Sequence, residues 1–214
     1  MKIGIIGAGH IGGNLAQLFV RHGHQVSIAN SRGPQTLGDV AQRTGATPVE
    51  VADAPRDADL VVVAVPLKAV AELPKGLLDS AAPGAVVIDT NNYYPQRDGQ
   101  IQPIDDGRVS ARWVGDQLGH PVVKVFNNIV AQQLLDRPTA PGTAGRRALP
   151  VAGDDERAKA VVLKLVDDIG FDAVDTGGLD DSWRFEPGTP AYGPDVDAAE
   201  LDHLLSQAER PTRV

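Results

Sequence analysis

The chain of 214 residues contains no cysteine. Disulfides, thiolate nucleophiles and cysteine metal sites are therefore excluded. Basic charge is also scarce. Lys and Arg number 20 against 28 Asp and Glu, a formal net charge of −8. Such an acidic surface argues against nucleic acid as a partner. It leaves room for a small anionic ligand held by a local positive site. No apolar run is long enough to span a bilayer, so no membrane partner is expected. Glycines interrupt the apolar stretch MKIGIIGAGHIG at the start, which therefore lacks the layout of a signal peptide. The expectation is a cytoplasmic protein.

Familiar catalytic patterns are missing too. The sequence assembles no Ser-His-Asp arrangement and no acid pair with glycosidase spacing. The five histidines (His10, His22, His24, His120 and His203) show no metal-ligand spacing, so no metal is expected. The Asp-Asp pairs beginning at 105, 154, 167 and 180 read as loop residues and helix caps. No lysine or histidine stands out as a proton donor. Lys124 can serve, but it lies in a strand pattern and can equally point to solvent. No catalytic residue is assigned.

What is present is an alternation of strand and helix. Residues 2–6 read as a buried strand. A helical pattern follows from about residue 11 to 21, and a second strand spans about 25–29. A helix runs through Leu37, Val40 and Ala41, and Val49 marks a short strand. ADLVVVAV, residues 58–65, is apolar on both faces and closed by Pro66. Residues 68–78 read as a helix interrupted near Pro74. Further strands are expected over 85–88, 121–126, 148–152 and 171–174, with a helix over 154–168. Residues 97–108 and the Pro- and Gly-rich stretch 136–147 read as loops. The pattern predicts α/β architecture, a doubly wound and mostly parallel Rossmann sheet continuous from residue 1 to about 175. A C-terminal extension over 176–214, with a helix over 196–208, packs on that domain or on a dimer partner.

The first motif is Gly7-Ala8-Gly9-His10-Ile11-Gly12, GxGxxG between a strand and a helix. The first glycine makes the tight turn and the second admits a pyrophosphate. The third lets the helix pack on the strand. Free amides and the helix dipole then favour the anion. His10 either touches the pyrophosphate or stands as a solvated loop residue. At the end of the second strand, an NAD protein usually carries an acid that holds the ribose hydroxyls. Here the chain reads Asn30-Ser31-Arg32. Ser31 can donate, and Arg32 can fork onto phosphate oxygens. This favours the 2′-phosphate of NADP(H) over a bare ribose.

Ligands of an open parallel sheet lie beyond the carboxyl ends of its strands. Ala64-Val65-Pro66 is small and apolar there, suited to close passage of a cofactor. The next two ends read Asp89-Thr90-Asn91-Asn92-Tyr93-Tyr94 and Lys124-Val125-Phe126-Asn127-Asn128. Asn91, Asn127 and Asn128 gather neutral amides where a nicotinamide would lie. Hydride exchange between two cofactors needs ring faces held about 3–3.5 Å apart rather than a dedicated acid.

Taken together, the segments IGIIGAGHIGGNLAQLF, NSRGP, VIDTNNYYPQRDG, KVFNNI and FDAVDTGGLDDSWRFEPGTPAYG resemble the coenzyme F420-dependent NADP oxidoreductase family. The resemblance implies a Rossmann domain with a small extension, often a homodimer. It implies hydride transfer between NADP(H) and a deazaflavin or flavin, a small-molecule acceptor. It also implies 2′-phosphate contacts at Ser31 and Arg32, pyrophosphate contacts at Gly7–Gly12, and a nicotinamide–deazaflavin contact near Asn127 and Asn128. The chain departs from characterised members at KVFNNI and in its C-terminal part. Trp183, Arg184, Phe185 and Tyr192 in the extension cap the site, meet a dimer partner or simply pack on the sheet, and Trp183 and Arg184 can also stack on a flavin-like ring. Two other readings stay open. One is reduction of a small carbonyl or imine, with Tyr93, Tyr94 or Lys124 as proton donor. The other is an NADPH sensor without turnover.

Overall fold

The computed structural model describes residues 1–210; residues 211–214 of the expected extension lie outside the described residues. The chain opens with β1 (Lys2–Ile6), α1 (His10–Arg21), β2 (Gln25–Ala29), α2 (Gly38–Thr44) and β3 (Thr47–Pro48). It continues through β4 (Leu60–Val63), β5 (Val86–Asp89), the single-turn helices α3 (Pro95–Asp98) and α4 (Gln102–Asp105), and α5 (Ser110–Leu118). Then come β6 (Val123–Lys124), α6 (Gln133–Asp136), β7 (Ala148–Val151), α7 (Glu156–Asp168), β8 (Asp172–Asp175) and α8 (Ala198–Ser206).

Six strands form a parallel sheet in the order β3-β2-β1-β4-β5-β6. Successive side chains of a strand face opposite sides. Ile3, Ile5, Leu60, Val62 and Ile88 therefore join one core, against Leu15 and Phe19 of α1 and Val162 and Leu165 of α7. Ile6, Val61, Val63 and Val87 face the other, against Trp113 and Val114 of α5 and Leu67 and Val70. Burial on both faces is why these strands lack a polar alternation.

The expected continuous sheet is corrected at β7. This strand pairs with β8 in a separate two-stranded parallel sheet, wound through α7. A single antiparallel bridge between Lys124 and Ala152 joins it to β6. β6 is two residues long and meets β7 only through that bridge, so the main sheet ends at β6. Strand patterning reports which segments are extended, and it does not report their partners. The helix expected over 68–78 is instead two 3-10 turns, Leu67–Glu72 and Leu77–Ser80, either side of Pro74. Proline lacks the amide that a helix through this point needs. α5 escaped the sequence reading altogether. The tail is tied to the domain. α8 places Leu201 and Leu205 against Ala148 and Ala152, and Phe185 fills the same cluster. The 136–147 loop folds back on the end of α7, where buried Arg146 bonds Asp167 at 2.5 Å and Asp172 at 2.8 Å.

Lys124 does not point to solvent. It is fully buried, its Nζ is 2.9 Å from Asp89 Oδ2, and it also donates to the Asn91 carbonyl. Asp89 Oδ1 accepts from the Asn91 amide at 2.8 Å. One ion pair thus fixes the course of the chain as it leaves β5. Removing one member of a buried pair strands the other charge. Lys124→Ala is expected to cost about 3–5 kcal/mol in urea unfolding. Lys124→Arg is expected to cost less, because it keeps the charge.

Candidate active site

The ends of β1, β2 and β4 lie level. Ile6 pairs with Ala29 on one side and with Val63 on the other. The Gly7 amide donates to the Ala29 carbonyl at 2.8 Å, and the Ala64 amide donates to the Ile6 carbonyl at 2.8 Å. The next residues of each strand, Gly7, Asn30 and Ala64, therefore meet at the point where the strand order reverses. A cleft of about 610 Å³ opens there, lined among others by Gly7, Gly9, Asn30, Ser31, Arg32, Val65 and Pro66.

The three motif glycines have separate physical reasons. Gly7 has φ 110°, and a Cβ on it would stand 2.1 Å from the Ala64 carbonyl oxygen. At Gly12 a Cβ would stand 1.9 Å from the Gly7 carbonyl oxygen, so α1 can approach the turn only without a side chain there. At Gly9 a Cβ would meet nothing within 4 Å. Gly9 instead begins α1 with its backbone bare to the cleft, without a side-chain cap. The first amides of a helix lack intrahelical acceptors and carry partial positive charge. His10, the first residue of α1, is exposed; Ile11 is half-buried and packs against the α1-side core, and Gly12 is buried.

At the end of β2 the Asn30 side chain shapes its own turn. Its Oδ1 accepts from the Arg32 amide at 2.9 Å, and its Nδ2 donates to Thr36 Oγ1 at 2.9 Å. Short polar side chains commonly set turns in this way. Gln35 Nε2 holds the Arg32 carbonyl at 2.9 Å. Ser31 and Arg32 are exposed, and neither side chain has a hydrogen bond or ion pair among the described residues. The sequence reading missed the opposite wall, Val51, Ala69, Leu73 and Pro74, and the exposed carboxylate of Glu72 at its rim. These residues lie in irregular turns after β3 and β4, where no periodicity marks a facing side.

The remaining expected residues form a second group at the ends of β5 and β6. Asn91 is buried and accepts from the Val65 amide at 3.1 Å, which ties it to the cleft wall. Its Nδ2 is buried without a partner among the described residues. Asn127 and Asn128 are buried outside the cleft lining. Asn127 Nδ2 donates to the Phe185 carbonyl at 2.9 Å and to Asn92 Oδ1 at 3.1 Å. Asn128 Nδ2 donates to the Ala191 carbonyl at 3.3 Å, and its own carbonyl accepts from the Gly193 amide at 3.0 Å. Both asparagines thus hold the tail. Phe126, just before them, is buried with φ 64°, a left-handed conformation that bulky residues seldom adopt.

The tail brings Tyr192 to this group, and its hydroxyl hydrogen-bonds that of Tyr94. Burial, and then the bond to Tyr94, push the Tyr192 hydroxyl above the ordinary phenol range. The Arg97 guanidinium lies 5.0 Å from the Tyr94 ring centre. Asp98 accepts from Arg97 and from the Tyr94 amide. Burial raises the Asp98 carboxyl, but those hydrogen bonds outweigh it and hold the group below its usual range. Tyr93 points elsewhere and bonds Asp105 Oδ1 at 2.8 Å as a fold anchor. Trp183 packs in the α5-side core with Arg210 5.3 Å from its ring centre, and Arg184 pairs with Asp181 at 3.6 Å. A stack of Trp183 on a flavin-like ring would have to displace Arg210. Among the described residues, no three His, Asp or Glu side chains gather into a metal-ligand cluster.

A doubly wound parallel sheet with a glycine turn at its switch point defines a Rossmann nucleotide-binding fold. Comparison with known proteins narrows this class. Residues 2–93 match the family described as NADP oxidoreductase, coenzyme F420-dependent. The hypothetical protein SMa0349 of Sinorhizobium meliloti is 33% identical, with a TM-score of 0.73 and 92% of each chain covered. A provisionally named F420-dependent NADP reductase from Arthrobacter sp. FB24 has the same fold at 24% identity, with a TM-score of 0.66 over 84% of this chain and 86% of that one. The protein YjhV of Escherichia coli K12 is 45% identical over 78 residues, which are 36% of this chain and 57% of YjhV. The chain belongs to the coenzyme F420-dependent NADP oxidoreductase family.

The glycines predict contrasting variants. Gly12→Ala is expected to lose about 1–3 kcal/mol through overpacking against the Gly7 carbonyl, read by urea unfolding. Gly9→Ala is expected to stay within about 0.5 kcal/mol of the parent, because its Cβ enters open space.

Proposed function

We propose that the protein transfers hydride between NADPH and a deazaflavin (coenzyme F420) or flavin acceptor. One observation carries the nucleotide half. The turn Asn30–Arg32 is fixed by its own hydrogen bonds and leaves Ser31 and Arg32 unpaired at the cleft. Among the described residues, the only carboxylate in the cleft lining, Glu72, comes from the turn after β4 rather than from the end of β2. Arg32 would fork onto the 2′-phosphate and Ser31 would donate to it. The pyrophosphate would lie on the amides of Gly9–Gly12, with His10 at its edge. The apolar wall of Val51, Leu73 and Pro74 suits the adenine. Asn91 would turn its free Nδ2 toward the carboxamide of the nicotinamide. In this reading Asn127 and Asn128 act at the acceptor end by fixing the tail beside it. The acceptor is taken as a free small molecule, and the protein as a cytoplasmic homodimer.

A second reading, reduction of a small carbonyl or imine, keeps one support. Of the three proton donors open to it, Lys124 and Tyr93 are buried in structural bonds and Tyr94 is half-buried.

The test is anaerobic mixing of the protein and NADPH with coenzyme F420, FMN, riboflavin or a cyclic imine, followed by absorbance. Bleaching of the deazaflavin or a flavin supports the proposal. Reduction of the imine alone would replace it with the second reading. Charged hydrogen bonds contribute roughly 1.5–3 kcal/mol, so Arg32→Ala is expected to reduce the preference for NADPH over NADH about tenfold to hundredfold. An unchanged preference would remove Arg32 from the 2′-phosphate site.

A further inference from the structure

Tyr94 and Tyr192 are 98 residues apart, yet their hydroxyls bond directly. The contact is not a core contact, since both side chains are half-buried. Neither ring lines the cleft, but the end of β5 ties both to its wall. Asn91 bonds Val65 in the cleft wall, and the next residue, Asn92, points its Nδ2 at the Tyr192 hydroxyl from 3.5 Å. The pair therefore stands on the β5–β6 side of the switch point. A dinucleotide with its phosphates at Gly9–Gly12 and its adenosine at Arg32 extends its reactive end toward that side.

We propose that Tyr94 gives a proton to the hydride acceptor, and that Tyr192 holds the phenolate this leaves. The proposal rests on the reading of the cleft as an NADPH hydride-transfer site. In the step, hydride leaves the nicotinamide ring with its electron pair and forms a C–H bond on the acceptor. The acceptor's displaced pair collects on a ring nitrogen, or on the heteroatom of a carbonyl or imine. That atom takes the Tyr94 proton, so the phenol O–H bond breaks as the new N–H or O–H bond forms. NADPH is oxidised to NADP⁺, the acceptor gains two electrons, and water returns a proton to Tyr94.

The surroundings converge on the Tyr94 oxygen. Asn92 Nδ2 donates toward Tyr192, and the Tyr192 hydroxyl can donate to Tyr94. Asn92 is itself held, with its Nδ2 2.8 Å from the Asn127 carbonyl and its Oδ1 accepting from Asn127 Nδ2. Burial keeps Tyr192 protonated, so it remains a donor when Tyr94 gives up its proton. Arg97, whose guanidinium bonds the Asn92 carbonyl at 2.8 Å, sets a positive charge over the Tyr94 ring. The carboxylate of Asp98 is turned to Arg97 and the Tyr94 amide rather than to the phenol oxygens. Tyr94 is the proton donor and Tyr192 its positioning residue.

The experiment compares the full chain with Tyr94→Phe and Tyr192→Phe. NADPH binding is read by fluorescence, folding by thermal midpoint, and turnover in H₂O and D₂O across pH with coenzyme F420, FMN and a cyclic imine. Both variants are expected to bind NADPH as the parent does. Tyr94→Phe should lower kcat about 10²- to 10⁴-fold and change the solvent isotope effect. Tyr192→Phe should lower kcat about tenfold or more at unchanged KM. Should Tyr192→Phe melt well below the parent, Tyr94→Phe decides alone, since it keeps the ring and the tail anchors. Parent turnover that Tyr94→Phe leaves intact, with the same isotope effect, overturns the proton transfer and leaves the hydride reading standing. NADPH binding without oxidation by any acceptor overturns both.

Discussion

The hydrogen-bond register of β1 is the constraint on which the rest depends. Ile6 pairs with Ala29 and Val63 at once, so β1, β2 and β4 end at one level. A slip of one residue would turn Ile3 and Ile5 from one core to the other and misalign the three chain ends. Gly7, Asn30 and Ala64 would then no longer share a cleft. The register is fixed by packing, since α1 and α5 cover opposite faces of the same strands. The close approach of α1 in turn requires that Gly12 carry no side chain.

A second device organises the other half of the site. The buried pair of Lys124 and Asp89 joins β6 to β5 and holds the Asn91 backbone from two directions. Buried pairs are costly to desolvate and tolerable only when further hydrogen bonds satisfy them, as the Asn91 carbonyl and amide do here. From this base Asn91 faces the cleft wall, while Asn92 reaches the Asn127 carbonyl and Tyr192 of the tail. The same few residues therefore join the cleft to the Tyr94–Tyr192 pair.

The tail links the small sheet to the main one. It packs α8 on the small β7–β8 sheet and lays residues 185–193 across the ends of β5 and β6. Asn127 and Asn128 hold it through backbone carbonyls, which constrains the path of the tail more than its side chains. Tyr192 is the residue that this path brings beside Tyr94. The geometry around Tyr94 is thereby coupled to folding of a segment far away in sequence.

Much of this was legible in the residues alone. The β-branched runs, the glycine turn and the Asn30–Arg32 turn act over a few neighbours, and local sterics and hydrogen bonding decide them. Hence β1 to β5 and one side of the cleft, from the glycine turn to Arg32, could be read from spacing. Pairings between distant segments could not. Whether β7 extends the main sheet depends on the edge that β6 offers, and β6 offers two residues. Whether Lys124 faces water depends on Asp89 lying beside it. Whether Asn127 meets a ligand or the tail depends on where Phe185 arrives. Strand ends, turns and the cleft residues Gly7, Gly9 and Asn30–Arg32 belong to the sequence by itself. The burial of Lys124, the separate second sheet and the meeting of Tyr94 with Tyr192 were decided only by tertiary structure, because each requires groups that periodicity cannot bring together.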